Sequence, residues 1–136
     1  MTTSAPFSFV RGIAAASGVY DAAVGLFLLL AADRMAAIFG VAPPDPPIFG
    51  NLNGLFLVAV AAGYYWPYRD PRGARWYLWV MGVFLKSAGA AAFLIDYAAR
   101  DSPASFLLFA ASDGAFAILT LMALAGSRST PARPPR

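Results

Sequence analysis

The chain has 136 residues, 60% hydrophobic and only 12% charged, where an ordinary soluble domain carries about 25% charged residues. Cysteine and histidine are both absent, which excludes disulfides, thiolate catalysis, haem ligation by His and nearly every zinc site, so no metal site is expected. The net charge of +3 comes largely from arginines at segment ends and in the tail, a placement that fits membrane orientation better than nucleic-acid binding.

A membrane span needs roughly 20 mostly apolar residues. In chain order, residues 10–32, 48–66, 76–97 and 104–125 meet that requirement and predict an all-α integral membrane four-helix bundle over residues 1–126. A cleaved signal peptide is the competing reading of the first stretch, but the stretch exceeds a signal core of about 7–15 residues and Asp21 interrupts it. A Pro-rich loop (Pro43, Pro44, Pro46, Pro47) leads to the second stretch, where Asn51 and Asn53 are placed for capping and hydration. A charged turn (Arg69, Asp70, Pro71, Arg72, Gly73) precedes the third stretch. A tight turn precedes the fourth, with Ser102 or Asp101 as its expected cap and Pro103 in its first turn. With no proline inside the four runs, uninterrupted helices are expected. Residues 127–136 are polar and Pro-rich and predict a disordered cytoplasmic tail.

Arg11, Arg69, Arg72, Arg75, Arg128, Arg133 and Arg136 fall on one side of these spans and only Arg34 and Arg100 on the other, so both termini are expected to be cytoplasmic. The expected location is the cell inner or plasma membrane, crossed several times. Tyr64, Tyr65, Trp66, Tyr68, Trp76, Tyr77 and Trp79 form the headgroup belt of that arrangement.

Three ionisable residues lie inside the apolar runs: Asp21, Lys86, which is the chain's single lysine, and Asp113. One such residue at mid-bilayer costs roughly 2.5–3.5 kcal/mol on insertion scales. The apolar residues of the first span supply roughly −4 kcal/mol, only a little more than Asp21 costs. Each charged span is therefore marginal alone and gains if the charges meet. Asp21 lies ten residues beyond Arg11, Lys86 eleven beyond Arg75 and Asp113 nine beyond Ala104, so at ~1.5 Å per residue all three are near mid-depth. Small neighbours such as Ser17, Gly18 and Gly25 near Asp21, and Gly82, Gly89 and Ala90 near Lys86, permit close helix approach. Gly12 is read as a packing residue of the same kind. One lysine cannot neutralise two carboxylates, so one aspartate is expected to hold a proton.

Asp21, Lys86 and Asp113 are thus the candidate catalytic residues. Phe109, Phe116, Asn53 and Asp96 are candidate ligand contacts, with Phe84, Phe93 and Phe106 as further aromatic wall and Asp96 at an entrance. Each has a plainer reading, as helix packing, lipid contact or an interfacial group. Tyr20, beside Asp21, is a candidate proton relay, but it points about 100° away on an ideal helix and reads rather as packing. No dinucleotide-binding glycine pattern, phosphate loop or nucleophile triad occurs.

The Arg11-Gly12 entry to a Gly-rich first span, the Phe39-Gly40-Val41 stretch before the Pro-rich loop and Leu52-Asn53-Gly54-Leu55-Phe56 together resemble the DoxX-like group of small bacterial membrane proteins. The resemblance implies four spans and a link to membrane redox systems or quinone-associated complexes. The sequence has no metal or haem ligand set, so a redox role would require a protein partner or a bound quinone.

Three functional readings follow. The first is an accessory or lipophilic-ligand-binding component of a membrane system, without a cofactor of its own unless a quinone or isoprenoid binds. Its partners would be the bilayer, a lipophilic small molecule and a membrane protein or second copy of the chain. The second is a membrane enzyme of isomerase or cyclase type, with one aspartate as acid, the other as base and Lys86 separating them. Covalent capture of an aldehyde by Lys86 is a variant of that chemistry. The third is a proton-linked transporter, which four helices would support only as an oligomer.

Overall fold

The computed structural model describes residues 5–127 as helices joined by short connections. Four are long and apolar enough to cross a membrane: α1 (Ala5–Phe39), α2 (Ile48–Arg69), α3 (Arg75–Arg100) and α4 (Ala104–Gly126). Four helices of the expected length and apolarity are therefore present.

They are not uninterrupted, although their only prolines, Pro6 of α1 and Pro67 of α2, lie in terminal turns. The backbone of α1 breaks at Ala31 (φ −152°, ψ 43°), where the first span was expected to end, and the helix resumes to Phe39. Thirty-five residues at ~1.5 Å each make roughly 52 Å of helix, far more than a hydrocarbon core of about 30 Å needs. The break sends residues 32–39 in a new direction, with Asp33 and Arg34 exposed and Met35 and Ala36 buried. Gly40 (φ +72°) then ends the helix, and Gly40 and Val41 donate to the carbonyls of Ala37 and Ala36, a Schellman closure.

In α2 the regular helix Ile48–Gly63 hands over at Tyr64 to a final turn that carries Pro67. In α3 residues Leu78–Leu85 wind as π-helix, which changes the α-helical neighbours expected for Lys86. No side chain caps α4. Ser102 instead donates to Asp96, Asp101 is left-handed (φ 53°), and α4 opens with a 3-10 turn after Pro103. No side chain caps α2 either.

Helix α1 packs along α2, α3 along α4, and α1 against α4, giving the lateral order α2, α1, α4, α3. Close approach depends on small residues. A Cβ on Gly25 would lie 2.8 Å from the Gly54 carbonyl, and one on Gly18 would lie 3.2 Å from Tyr64. Gly12 packs against nothing within 4 Å, so the packing role expected for it is not seen.

Between α3 and α4 the contacts repeat every heptad: Arg75, Gly82 and Gly89 face Ser127, Thr120 and Asp113 in antiparallel order. Arg75 donates to the Ser127 hydroxyl (2.5 Å) and the Leu124 carbonyl (2.8 Å). Ser127, expected to begin the tail, is therefore buried, and residues 128–136 lie outside the described residues.

Helices α2 and α3 meet where the Tyr77 hydroxyl donates to the Val60 carbonyl (2.5 Å) and the Tyr64 and Tyr77 rings stand edge to face at 5.2 Å. These two tyrosines, assigned to the headgroup belt with five other aromatics, turn inward, while Tyr65, Trp66, Tyr68, Trp76 and Trp79 remain exposed. Around them Val10, Ile13, Ala14, Leu78, Ala123 and Leu124 close this end of the bundle.

Candidate functional site

Beyond the tyrosines the bundle hollows. A cavity of about 360 Å³ is lined by all four helices and by Val41, Ala42 and Pro44 of the Pro-rich loop. That volume is at the small end of ordinary ligand pockets, about 300–1,000 Å³.

Its floor is ionic. Lys86 Nζ donates to Asp21 Oδ1 at 2.7 Å and to Asp113 Oδ1 at 3.2 Å, joining α3 to α1 and α4. The three residues predicted to meet at mid-depth do meet, and the two carboxylates are unequal. The Asp21 side chain is 3% exposed and that of Asp113 is 19% exposed. Asp113 Oδ2 lies over Gly89, where a Cβ would come within 2.9 Å, so the glycine makes room for the carboxylate. Lys86 Nζ also sits over the rings of Tyr20 (5.0 Å) and Phe116 (5.3 Å), whose faces attract a cation.

The far wall is aromatic. Phe39 stacks on Phe109 (4.7 Å), Phe109 on Phe93 (5.3 Å), and Phe106 packs against this group. Ser105 ties the end of α1 to α4 by donating to the Phe39 carbonyl at 2.6 Å. Phe93, one heptad above Lys86, is roughly 10 Å along the helix from it, which sets the depth between floor and wall.

Of the sequence-predicted residues, Asp21, Lys86, Asp113, Phe109 and Asn53 line the cavity. Phe116 lies behind the floor, against Tyr20 and Lys86. Asp96 is bound to Arg100 (3.1 Å) and Ser102 and does not line the cavity, and Phe84 is exposed.

For Tyr20 the sequence favours packing over a proton relay. Its hydroxyl shares a 2.6 Å hydrogen bond with Ser112, and the residue lines the cavity. Phe39 and Met35 were missed because they lie beyond the expected end of the first span. Gly89 was noted for close packing, and its contact with Asp113 was not foreseen.

A repeat carries part of this information. Arg11, Gly18-Val19-Tyr20 and Gly25 recur, 64 residues later, as Arg75, Gly82-Val83-Phe84 and Gly89. In each copy both glycines face the next helix of the chain, and the intervening turn carries the buried ionisable residue, Asp21 or Lys86. Read as a repeat, the sequence would have marked Gly89 with Gly25, and Lys86 with Asp21, as related parts of two similar hairpins.

Comparison with family models, curated proteins and solved structures finds no match to this chain. The chain is thus characterised by its own architecture: four helices long and apolar enough to span a membrane, three of them joined by the buried Asp21–Lys86–Asp113 ion bridges.

Proposed function

We propose that this protein is a multi-pass component of a cell membrane, with both termini cytoplasmic, that binds a lipophilic small molecule in the cavity above Lys86. The carrying observation is that an apolar cavity of about 360 Å³ ends on a carboxylate, Asp113, that is itself held by a buried ammonium. Ligand sites commonly combine such walls with a few fixed polar groups. A centre serving only to lock helices gains nothing from a cavity at its edge. The resemblance to the DoxX-like group, with its links to membrane redox systems, supports a membrane-borne ligand such as a quinone or isoprenoid.

Native mass spectrometry of the purified full chain tests the reading. Wild type is expected to retain a small lipophile that the folded triple variant Asp21→Asn/Lys86→Met/Asp113→Asn has lost. Phospholipid alone in both samples would contradict it.

The inequality of the carboxylates favours acid–base chemistry as the second reading. Asp21 is fixed by Lys86 while Asp113 faces the cavity, the division of labour expected of a positioned proton donor or acceptor. Incubation in deuterated water is expected to place deuterium on carbon in the retained lipophile, and no incorporation would remove this reading while leaving the binding role.

A further inference from the structure

We infer that the ligand's head is positively charged and that it exchanges with a proton at Asp113, an inference that rests on the binding role proposed above. With Asp21, Lys86 and Asp113 all ionised, the centre carries one net negative charge. An uncompensated charge in an apolar interior is costly. A second positive charge is therefore needed, and either a proton on a carboxylate or a cation in the cavity supplies it.

Geometry places that charge at Asp113. Asp21 takes the shorter bond to Lys86 and is nearly inaccessible, whereas Asp113 takes the longer one and is the more exposed of the two. Its Oδ2 lies against Gly89, which lines the cavity. The rings of Tyr20, Phe93 and Phe109 also line it, and a cation is stabilised over an aromatic face. Lys86, stacked over Tyr20 and Phe116, is an example within the same centre. An anionic head, such as a fatty acid's carboxylate, would meet Asp113 and double the uncompensated charge.

The exchange balances without a further reactant. The carboxylic acid of Asp113 releases its proton to water, and the resulting carboxylate pairs with the incoming cation. The charged and titratable groups facing Asp113 are Tyr20 and Asp21 from α1, Lys86 from α3 and, more remotely, Tyr64 from α2. From α2 the cavity receives the uncharged Asn53. Because proton and cation compete for one carboxylate, cation affinity falls as pH falls.

Three probes with one flat body separate the possibilities: naphthylmethyl-trimethylammonium, naphthylmethanol and naphthoate. Each is titrated calorimetrically into the detergent-solubilised full chain at two pH values and in two buffers of different protonation heat. The cation is expected to bind more tightly than the alcohol by about tenfold or more, to bind more weakly at the lower pH and to release a proton on binding. Naphthoate is expected not to bind. Asp113→Asn is expected to lose proton release and about tenfold in cation affinity. Alcohol or naphthoate binding as tightly as the cation, or cation binding without proton release, overturns the exchange and leaves the binding role standing. Failure of all three probes to bind overturns both. The wild-type results decide the matter even if the variant does not fold.

Discussion

The two halves of the bundle use the same four helices and are filled differently. In the half that includes the turn between α2 and α3, Tyr64, Tyr77, Leu78 and Leu124 pack into one buried cluster, and Arg75 and Tyr77 tie helix to helix through backbone carbonyls. In the other half, α1 breaks away at Ala31, the aromatic rings stack on one another as a wall, and about 360 Å³ stays open. Lipid is as apolar as leucine, so burial alone does not draw helices together in a membrane; close contact and polar ties do. The closed half has both. The open half has its ties at the edges, at Ser105 and at the ion centre, and is consequently free to hold something else.

The largest effect on this comparison is expected at its boundary. Lys86→Met strands two carboxylates and should destabilise the fold by about 3–5 kcal/mol, whereas Asp21→Asn/Lys86→Met/Asp113→Asn leaves no buried charge and should lie close to wild type. Unfolding in a mild detergent, followed by loss of helical signal, distinguishes them. A triple variant less stable than the single one would show that the ion bridges, rather than the avoidance of a lone charge, hold the halves together.

Truncation should then separate the halves. Leu124→Ala, in the closed half, opens a new void and is expected to cost about 2 kcal/mol or more. Phe109→Ala enlarges an existing cavity and loses ring contacts worth about 1 kcal/mol. Equal losses in the same unfolding assay would mean that the cavity is packed in solution.

Glycine substitutions sharpen the contrast further. A Cβ at Gly82 would lie 2.8 Å from Cγ2 of Thr120, a stiff β-branched side chain, and Gly82→Ala is expected to cost about 1–3 kcal/mol. The corresponding Cβ at Gly89 meets only the movable carboxylate of Asp113, so Gly89→Ala should fold nearly as well and show its effect in ligand retention by native mass spectrometry.

The smallest change is expected at Thr120, whose buried hydroxyl has no hydrogen-bond partner. Thr120→Val should leave the unfolding midpoint unchanged or raise it. A clear loss would reveal a bound water or another partner for that hydroxyl.

Much of this architecture was legible in the chain. Span length and the depth of Asp21, Lys86 and Asp113 follow from hydropathy and a fixed rise per residue, and those two regularities suffice to bring the three side chains together. The break at Ala31 was not legible because no proline or glycine marks it. The π-helical turns of α3 hold Gly82 but no proline, and a lone glycine, read here as a packing residue, does not announce them; they alter which side chains neighbour Lys86. The inequality of Asp21 and Asp113 depends on the shape of the space around them, including the bare face of Gly89, and no residue pattern carries that. Asp96, polar and close to the expected entrance, is instead occupied by Arg100 and Ser102, short-range partners that the sequence did place nearby.

Photolabelling tests the central claim most directly. A small diazirine-bearing lipophile, activated with the full chain in a bilayer and mapped by peptide mass spectrometry, is expected to mark Met35, Phe93 and Phe109 around the cavity and to be competed away by unlabelled lipophile. Adducts confined to the exposed Leu30, Phe84 and Ile118, with none competed, would contradict the account and return the ion centre to a purely structural role.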